Sequence, residues 1–544
     1  MRAVLAGRDA LVVLPTGAGK SAIYQVPATL LPGPTVVISP LLALQQDQIA
    51  GLNGRDGQDA DAMLRAVRVS SAESPKAQAA ALEEVAQGRA RFLFITPEQL
   101  RRPDRLEQVR ALRPALVAVD EAHCISSWGH DFRPDYLNLG HAIEELAPAG
   151  ARRSGRAGRG RRPAVVALTA TASPPVREDI ANRLRLRDPL VVIGGLDRPN
   201  IFLEATHCPT DEHRWRRLRQ LLVADAGAGV VYVPTRRGAE QLAARLVEAG
   251  YAAAAYHGGL AAGVRARRHE DFLADRVPIM VATSAFGMGI DKPNIRWVAH
   301  LALPDSPDSY LQEIGRAGRD GEPARAVLLH RGEDVALQRY FTGGAPEEPV
   351  VRDLVALLRL SPHSRTELRE ASGLGARRLA QLIALLEEVG AVDETTDGRL
   401  YSPSWAPLPA DAARLALAEA DRHQTVQRTR IDMMRLFAES RGCRGQSLLA
   451  YFGDTTATGP CGHCDNCAGE TTAAPTIPVA PTPAASEGDA PYPPNSTVRH
   501  AAWGVGTVLG YENDRMTVLF DAVGYKTLSV RVVRAQGLLA LEVG

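Results

Sequence analysis

The sequence predicts an α/β protein with two doubly wound parallel-sheet domains in tandem. Short apolar runs alternate with helical patterns from residue 1 to about residue 340, as in a parallel sheet covered by helices on both faces. These runs are continuously apolar, as expected for strands that are buried on both sides. The chain has 544 residues, which is too long for one hydrophobic core. We therefore expect several domains.

The strands of the two sheets are assigned from these apolar runs. The first domain, residues 1–196, has five of them: Val12–Leu14, Val36–Ile38, Phe92–Ile95, Leu116–Val119 and Val165–Leu168. The second domain, residues 197–343, has three: Val230–Val233, Ile279–Ala282 and Trp297–His300. Their richness in valine and isoleucine is typical of buried strands.

Four further segments are predicted after residue 343. Residues 344–404 contain a helix–turn–helix and a small hairpin, a combination typical of a winged helix. Between Leu360 and Tyr401 there are five arginines and seven acidic residues, a balance that does not support DNA binding. A packing or regulatory role for this segment stays open. Residues 405–467 form a helical subdomain with clustered cysteines. Residues 468–495 hold seven prolines, a linker composition, and residues 496–544 are predicted to form a small β-barrel.

Composition and charge describe an ordinary globular protein. The chain is 45% hydrophobic and 23% charged, with a net charge of +1, so any nucleic-acid surface must be local. No apolar run approaches the ~20 residues of a membrane span. Six cysteines, four of them clustered, suit a reducing compartment and a metal site. We expect a cytoplasmic location.

A glycine-rich segment between the first strand and its helix predicts a phosphate-binding loop. Backbone N–H groups of such a loop surround phosphate oxygens, and the helix N-terminus favours the negative charge. The candidate residues are Thr16, Gly17, Ala18, Gly19, Lys20 and Ser21. Lys20 is expected to reach the β and γ phosphates, and Ser21 to ligate Mg²⁺. A glycine-rich turn without ligand is the structural alternative.

An acidic pair follows the strand that begins at Leu116. Asp120 occupies the strand end, where a magnesium-binding carboxylate belongs, and Glu121 is the candidate base that orients the attacking water. His123 is expected to link the nucleotide site to the neighbouring domain. An acidic pair alone is ambiguous, but downstream of a phosphate-binding loop it indicates a nucleotide hydrolase.

Two arginines in the second block are candidates for contact with the γ-phosphate. Arg316 and Arg319 stand three residues apart, and we expect them on one helix face, from which they can stabilise charge on the phosphate. Surface salt-bridge arginines are the structural alternative. A turn around Lys292 is a second candidate for contact with nucleotide or DNA.

The motifs together resemble the RecQ family of DNA helicases, in helicase superfamily two. The matching pieces, in family order, are PTGAGKS at 15–21, SPLLALQQDQ at 39–48, ITPEQL at 95–100, DEAHCISSWGHDFRP at 120–134, LTATA at 168–172, YHGGL at 256–260, ATSAFGMGIDKPN at 282–294 and QEIGRAGRDG at 312–321. They cover about the first 340 residues. The loop after DEAH separates this family from general DEAD/DEAH RNA helicases, which makes an RNA helicase the weaker interpretation.

The resemblance implies an ATP- and Mg²⁺-dependent DNA helicase that translocates 3′ to 5′ through two RecA-like domains. It implies an aromatic-rich loop that couples DNA binding to hydrolysis, formed by Trp128, His130, Phe132 and Arg133; bases stack on such rings without sequence preference. It places Ser39, Thr96 and Thr171 near the DNA strand or the domain interface, makes Arg316 and Arg319 the arginine-finger candidates, and adds His123 and Gln312 to the nucleotide-binding set.

The cysteine cluster resembles the zinc subdomain of the same family. Cys443, Cys461, Cys464 and Cys467 follow a long helical run, and four thiolates form a closed tetrahedral zinc site. An iron–sulfur cluster stays open as the alternative, since spacing alone does not separate the two. Cys124 and Cys208 are expected to be ordinary buried thiols.

The chain departs from the family pattern in three places. The family carries a segment ahead of the phosphate-binding loop whose glutamine reads adenine, and this sequence begins after it; a nucleic-acid-binding scaffold with an impaired motor is therefore the alternative function. The winged-helix-like segment precedes the cysteines instead of following them. Residues from Val498 to Leu528 resemble the Tudor-like tail of UvrD/PcrA-type helicases, and near-neutral charge there favours a protein partner, with RNA polymerase as the candidate by analogy.

Overall fold

The computed structural model describes the chain in ranges that form two compact units. Described are residues 1–15, 17–40, 42–54, 64–126, 136, 139–147, 162–224, 227–287, 292–341, 346–395, 398–454, 459–471, 491–493, 496–512, 515–520 and 524–541. The first unit comprises Met1–Leu14, Gly19–Val192 and Gly343–Gln424, and the second comprises Pro15–Ala18, Ile193–Thr342 and Thr425–Gly544. Among the described residues, no helix is both long and apolar enough to cross a membrane.

Strands and helices alternate along the N-terminal region, as predicted. In chain order they are α1 (Arg2–Leu5), β1 (Ala10–Val13), α2 (Ala22–Leu30), β2 (Thr35–Ile38), α3 (Leu42–Asn53), β3 (Ala66–Val69), α4 (Pro75–Ala86), β4 (Phe92–Ile95), α5 (Pro97–Arg101), α6 (Pro103–Ala111), β5 (Leu116–Val119), a 3₁₀ helix (Ala122–Ile125), α7 (Leu139–Glu145), β6 (Ala164–Thr169), α8 (Pro174–Arg183) and β7 (Leu190–Ile193). The five predicted strands correspond to β1, β2, β4, β5 and β6.

These strands form one seven-stranded sheet in the order β3-β4-β2-β5-β6-β1-β7. All pairings from β3 through β1 are parallel. Strands β1, β2, β4, β5 and β6 are buried along their whole length, which explains their continuously apolar sequences. Consequently the loops that follow β1 and β5 meet at the carboxyl edge of the sheet, where ligands bind in folds of this type.

The second sheet belongs to the second unit. Its elements are β8 (Ile201–His207), α9 (Asp211–Ala224), β9 (Ala228–Tyr232), α10 (Arg236–Glu248), β10 (Ala253–Tyr256), α11 (Ala262–Leu273), β11 (Ile279–Ala282), β12 (Ile295–His300), α12 (Pro307–Ile314), β13 (Ala324–His330) and α13 (Glu333–Phe341). The six strands are ordered β10-β11-β9-β12-β13-β8, and every pair is parallel. The two tandem RecA-like sheets are therefore confirmed.

A helical segment follows in the first unit. It contains α14 (Glu348–Leu360), α15 (Arg365–Ser372), α16 (Ala376–Glu388), β14 (Asp393–Glu394) and β15 (Leu400–Tyr401), with β14 and β15 antiparallel. Ser364 and Glu367 form a capping box at the start of α15, and Gly373 ends this helix with a φ of 65°. The predicted helix–turn–helix and hairpin are present; their assignment as a winged helix stays a prediction.

The remaining elements belong to the cysteine-containing region and the C-terminus. They are α17 (Pro409–Glu439), α18 (Arg444–Tyr451), α19 (Asp465–Thr471), β16 (Thr497–His500), β17 (Gly504–Glu512), β18 (Arg515–Phe520), β19 (Gly524–Ser529), α20 (Val530–Gln536) and β20 (Leu539–Leu541). The C-terminal strands form a five-stranded antiparallel sheet in the order β19-β18-β17-β16-β20, with its own apolar core. Closure of this sheet into a barrel stays a prediction.

Candidate functional site

The glycines of the predicted phosphate-binding loop lie between β1 and α2. Gly17 and Gly19 have φ angles of 87° and 74°, in the left-handed region that residues with a Cβ rarely adopt. Gly17, Ala18 and Gly19 are exposed, so their backbone is accessible to a ligand. Thr16 lies outside the described residues. The glycines are thus required by the backbone at the start of α2, where anions are favoured.

Lys20 and Ser21 connect this loop to α2. The Lys20 Nζ donates a 3.1 Å hydrogen bond to the carbonyl oxygen of Leu14, at the end of β1. Ser21 is the N-cap residue of α2, and both side chains are half-buried. An ammonium group and a hydroxyl therefore lie together at the start of α2, next to the glycines.

Asp120 and Glu121 follow β5 directly. Asp120 is 5% exposed, and burial raises the pKa of its carboxyl, whereas the positive charge of Lys20 lowers it. Glu121 has φ 48° and ψ 46°, a left-handed backbone that costs a non-glycine residue about 1 kcal/mol. This strained turn is part of how the chain presents two consecutive carboxylates at one sheet edge.

Three side chains that sequence reasoning missed surround Asp120. The Gln48 Nε2 donates a 3.2 Å hydrogen bond to the Asp120 Oδ2, and the Tyr24 hydroxyl donates a 3.1 Å bond to the Gln48 Oε1. The Tyr136 hydroxyl donates a 3.3 Å bond to the backbone carbonyl of Asp120. Gln48 ends the motif at residues 39–48, and this was the only sequence signal for it.

His123 lies between the acidic pair and β6. Its Nδ1 is 2.9 Å from the Thr169 Oγ1 and 3.3 Å from the Glu121 Oε2. The Thr169 hydroxyl donates to the carbonyl of Thr171, so its oxygen is left to accept a proton carried on the His123 Nδ1. The ring is fully buried and joins Glu121 to the end of β6 within the first unit.

The predicted coupling loop lies outside the described part of the chain. Trp128, His130, Phe132 and Arg133 lie outside the described residues. Ser39, Thr96 and Thr171, expected near the DNA path, are buried at the carboxyl ends of β2, β4 and β6.

The arginine pair of the second unit is not on a helix, and this prediction was wrong. Helix α12 ends at Ile314, with Gly315 as its C-cap residue. Arg316 and Arg319 follow in a turn in which Gly318 has a φ of 56°, because a continued helix is incompatible with that left-handed residue. Arg316 is 4% exposed, and Arg319 is half-buried.

Buried polar contacts hold this turn against the second sheet. The His300 Nε2 lies 2.7 Å from the Glu313 Oε2, beside the half-buried Gln312 on α12. Burial raises the pKa of Tyr232, and the positive charge of Arg316 opposes the rise, which places this arginine beside the carboxyl end of β9. Arg316 and its neighbours therefore form a compact polar edge of the second sheet.

Lys292 has a structural position. Its Nζ forms a 2.8 Å ion pair with the Asp275 Oδ1 and donates to the carbonyl of Leu273, with 2% of the residue exposed. The interpretation of Lys292 as a ligand contact is not favoured by this environment, while Asp291 lies outside the described residues.

The clustered cysteines converge on one point in the second unit. The sulfur atoms of Cys443, Cys461, Cys464 and Cys467 all lie within 4.8 Å of one another. Four thiols at this separation fit a tetrahedral metal site. Cys124 and Cys208 are fully buried elsewhere, as predicted.

The cysteine-containing region is joined to the second sheet by backbone and side-chain bonds. The Leu203 N–H on β8 donates a 2.9 Å hydrogen bond to the carbonyl oxygen of His463. The Ala205 N–H donates a 3.0 Å hydrogen bond to the Asp465 Oδ2. Arg444, which is 3% exposed, donates to that same carboxylate and to the carbonyl of Phe437. The region therefore extends the edge of the sheet.

Three family models match the chain. The DEAD/DEAH box helicase model matches residues 1–180, the helicase conserved C-terminal domain matches residues 213–321, and the RecQ zinc-binding model matches residues 409–468. The last match covers the four converging cysteines and supports zinc over an iron–sulfur cluster.

A curated relative decides the family. The probable ATP-dependent DNA helicase RecS of Bacillus subtilis is 32% identical over 470 residues, which are 85% of this chain and 87% of that protein. This chain belongs to the RecQ family of ATP-dependent DNA helicases. The RecQ helicase of B. subtilis is 38% identical over 66% of this chain and 58% of its own length, and that of Haemophilus influenzae is 39% identical over 64% of this chain and 53% of its own length.

This RecQ-family chain thus spans a little over half the length of the RecQ relatives that it matches. The solved structure of Mycobacterium smegmatis helicase Lhr bound to ssDNA and AMP-PNP has 23% sequence identity to it, covers 77% of this chain and 59% of its own, and superposes with a TM-score of 0.46.

In this RecQ-family protein, the first unit brings together part of the predicted nucleotide set. Lys20, Asp120 and Glu121 lie at one sheet edge, with His123 behind them. Arg316, Arg319 and Gln312 are clustered at the edge of the second sheet. The family, the helicase class and the two tandem sheets are confirmed, while the individual catalytic roles stay predictions.

Proposed function

We propose that this RecQ-family helicase is an ATP- and Mg²⁺-driven motor that translocates 3′ to 5′ on single-stranded DNA and unwinds duplex DNA in repair and recombination. The observation that carries this proposal is the pairing of an exposed glycine loop with a buried carboxylate. Burial raises the pKa of Asp120 and the positive charge of Lys20 lowers it, as expected for two residues that bind one nucleotide.

The residues around Asp120 suit a divalent cation. Burial of this carboxyl raises its pKa, so the buried negative charge lacks full compensation and a bound cation would stabilise it. Asp120 and the Ser21 hydroxyl are the oxygen donors that Mg²⁺ prefers. When bound, the ion neutralises charge on the β and γ phosphates. Lys20 and the backbone of Gly17, Ala18 and Gly19 would hold the phosphates, together with Thr16.

Glu121 is proposed to orient and deprotonate the attacking water. Its side chain is 13% exposed, so it retains access to solvent, and the His123 Nδ1 lies 3.3 Å from its Oε2. The proton leaves the water for the Glu121 carboxylate while the water oxygen attacks the γ-phosphorus, and the bond from the γ-phosphorus to the β–γ bridging oxygen breaks, which releases ADP and phosphate. His123 would then relay the state of the nucleotide to Thr169 and the end of β6.

Arg316 and Arg319 are proposed as the arginine fingers, with Gln312 as a further nucleotide contact. A guanidinium presents several donors in a planar fork that matches phosphate oxygens. Arg316 is sheltered from solvent, which strengthens its charge interactions. Stabilisation of the developing γ-phosphate charge would lower the barrier to hydrolysis.

Trp128, His130, Phe132 and Arg133 are proposed to couple DNA to hydrolysis. They follow the acidic pair in sequence, so a base stacked on Trp128 or Phe132 would act on the same segment that carries Asp120. The segment that carries Cys443, Cys461, Cys464 and Cys467, called the zinc module below, is proposed to be a structural zinc site.

The C-terminal sheet is proposed to be a Tudor-like barrel that binds a protein partner, with RNA polymerase as the candidate by analogy. Five basic against four acidic residues from Ser496 onward do not favour DNA. The winged-helix-like segment is proposed as a packing or regulatory module.

ATP hydrolysis measured with and without single-stranded DNA tests the proposal. We expect stimulation by DNA in the wild type and loss of hydrolysis in Lys20→Ala, with DNA binding retained in the variant. Hydrolysis that stays DNA-stimulated in Lys20→Ala would overturn the site assignment. Absence of hydrolysis in the wild type, with DNA binding intact, would favour the scaffold instead.

A further inference from the structure

A buried chain of side chains ends on the carboxylate of Asp120. The Tyr24 hydroxyl donates to the Gln48 Oε1 over 3.1 Å, and the Gln48 Nε2 donates to the Asp120 Oδ2 over 3.2 Å. Tyr24 is fully buried and Asp120 is 5% exposed. The proposed steps of hydrolysis use neither Tyr24 nor Gln48.

The chemistry of the three groups allows one direction of donation. A carboxylate only accepts hydrogen bonds, so the NH₂ of Gln48 must face Asp120 and its carbonyl oxygen must face away. That oxygen can only accept, and the Tyr24 hydroxyl supplies its proton. The orientation of the Gln48 amide is therefore set by its two partners, and Gln48 in turn fixes the rotation of the carboxylate.

These hydrogen bonds join three separate segments of the first unit. Tyr24 belongs to α2, which begins immediately after Ser21, and Gln48 belongs to α3. The start of α3 is held by a 2.8 Å hydrogen bond from the Gln45 Nε2 to the carbonyl of Ser39. Movement of α2 or α3 would therefore be transmitted to the carboxylate at the end of β5.

Tyr24 also lies close to both expected Mg²⁺ ligands. Burial and the negative charge of Asp120 raise the pKa of Tyr24, and a hydrogen bond with Ser21 opposes the rise. The single phenol proton is already donated to the Gln48 Oε1, so Tyr24 acts on the carboxylate of Asp120 through Gln48.

We propose that Gln48, oriented by Tyr24, is a positioning residue that sets the affinity of the nucleotide site for its divalent cation. This rests on the proposed function of Asp120 as the magnesium-binding carboxylate. Gln48 holds one carboxylate oxygen, Oδ2, and leaves the charge of Asp120 intact for the ion. Loss of such a partner of a metal ligand typically weakens metal binding by about 10- to 100-fold.

The test is the Mg²⁺ dependence of ADP binding, followed with a fluorescent ADP analogue in Gln48→Met and Tyr24→Phe. Both changes keep the approximate shape of the side chain. Gln48→Met removes both hydrogen bonds of the Gln48 amide, and Tyr24→Phe removes only the bond between Tyr24 and Gln48. We expect Gln48→Met to raise the Mg²⁺ concentration at half-saturation about tenfold and to leave ADP affinity in excess EDTA unchanged. Tyr24→Phe should also raise the Mg²⁺ concentration at half-saturation, by a smaller factor.

Gln78→Met is the matched control. Gln78 is a buried glutamine of the first unit that donates 2.8 Å to the carbonyl of Ser70 and accepts from Arg105, away from the nucleotide loop. Equal Mg²⁺ half-saturation in wild type and Gln48→Met, or an equal shift in Gln78→Met, would overturn the inference. If Gln48→Met does not fold, as judged by its thermal unfolding, an unshifted Tyr24→Phe would overturn it.

The same measurements separate this inference from the proposed motor. A wild type that binds Mg²⁺ and ADP but shows no DNA-stimulated hydrolysis contradicts the motor, and a shifted Gln48→Met would then still establish the positioning role. If DNA stimulates ATP hydrolysis in the wild type but the Mg²⁺ half-saturation of Gln48→Met is unchanged, the proposed motor stands and the positioning role of Gln48 is excluded.

Discussion

The Tyr451 hydroxyl donates a 2.6 Å hydrogen bond to the Asp308 Oδ2. Tyr451 is at the end of α18, beside the zinc module, and Asp308 is in the first turn of α12. Both residues are almost completely buried. Since α12 leads directly to Arg316, this bond ties the zinc module to the helix that positions the arginine-finger candidates.

Tyr451→Phe should destabilise the second unit. The change removes this donor from a buried carboxylate, which costs roughly 1–3 kcal/mol. Chemical denaturation of the variant measures the loss. Tyr492→Phe is the control for loss of a buried phenol hydroxyl, because the Tyr492 hydroxyl donates to a neutral acceptor, the backbone carbonyl of Leu539. A Tyr451→Phe protein with wild-type stability would show that Asp308 finds a replacement donor.

Removal of zinc should unfold the second unit. The cysteines pack against the core of the second sheet, which includes Ile431, Met434 and Phe437 of α17, so the metal stabilises more than its own loop. Treatment with a chelator should release one zinc ion per chain, as measured by a colorimetric zinc assay. The metal-free protein should have a lower unfolding temperature. Release of iron with no zinc would instead establish the iron–sulfur alternative.

His423 should make the stability of the first unit depend on pH in the alkaline range. Its Nε2 lies 3.3 Å from the Glu388 Oε2 and 3.2 Å from the Glu419 Oε1. Although burial opposes it, hydrogen bonds to these two carboxylates raise the pKa of His423 from 6.5 to about 9. Arg183 of α8 forms ion pairs with both Asp179 and Glu388, so a second positive charge lies beside the Glu388 carboxylate.

The raised pKa of His423 determines how the free energy of unfolding changes with pH. The stabilisation is fully present below pH 6.5 and is lost as the pH rises through about 9, with a total of at most about 3 kcal/mol. Urea unfolding at several pH values should show a steeper alkaline loss of stability in wild type than in His423→Gln. Parallel pH profiles for the two proteins would contradict the assignment. The pKa of Glu388 is lowered, so its own contribution falls only in acid.

Trp128→Ala should uncouple DNA from hydrolysis. The ratio of ATPase rates with and without single-stranded DNA should fall close to one, because a stacking platform worth about 1–3 kcal/mol per base is lost. Trp405→Ala is the control, since Trp405 is 74% exposed in the segment after the two sheets. A normal ratio in Trp128→Ala would remove the coupling role from the loop.

Much of the fold could be predicted from local sequence. Strands buried on both faces must be continuously apolar, so β1, β2, β4, β5 and β6 could be located from sequence alone, as could β9, β11 and β12. The position of Arg316 and Arg319 could not, because spacing alone does not show that α12 ends at Ile314. Gly315 and Gly318 were the available sequence signals for that end.

The site shows the same division. The sequence by itself determined the phosphate-binding loop, the acidic pair, the cysteine cluster and the family, since each depends on residue types at short spacing. Only the tertiary structure decided that Gln48 and Tyr24 contact Asp120, that Lys292 is used in an ion pair, and that the zinc module continues the edge of β8. Those relationships join residues that are far apart in the chain, and packing and hydrogen-bond geometry alone bring them together.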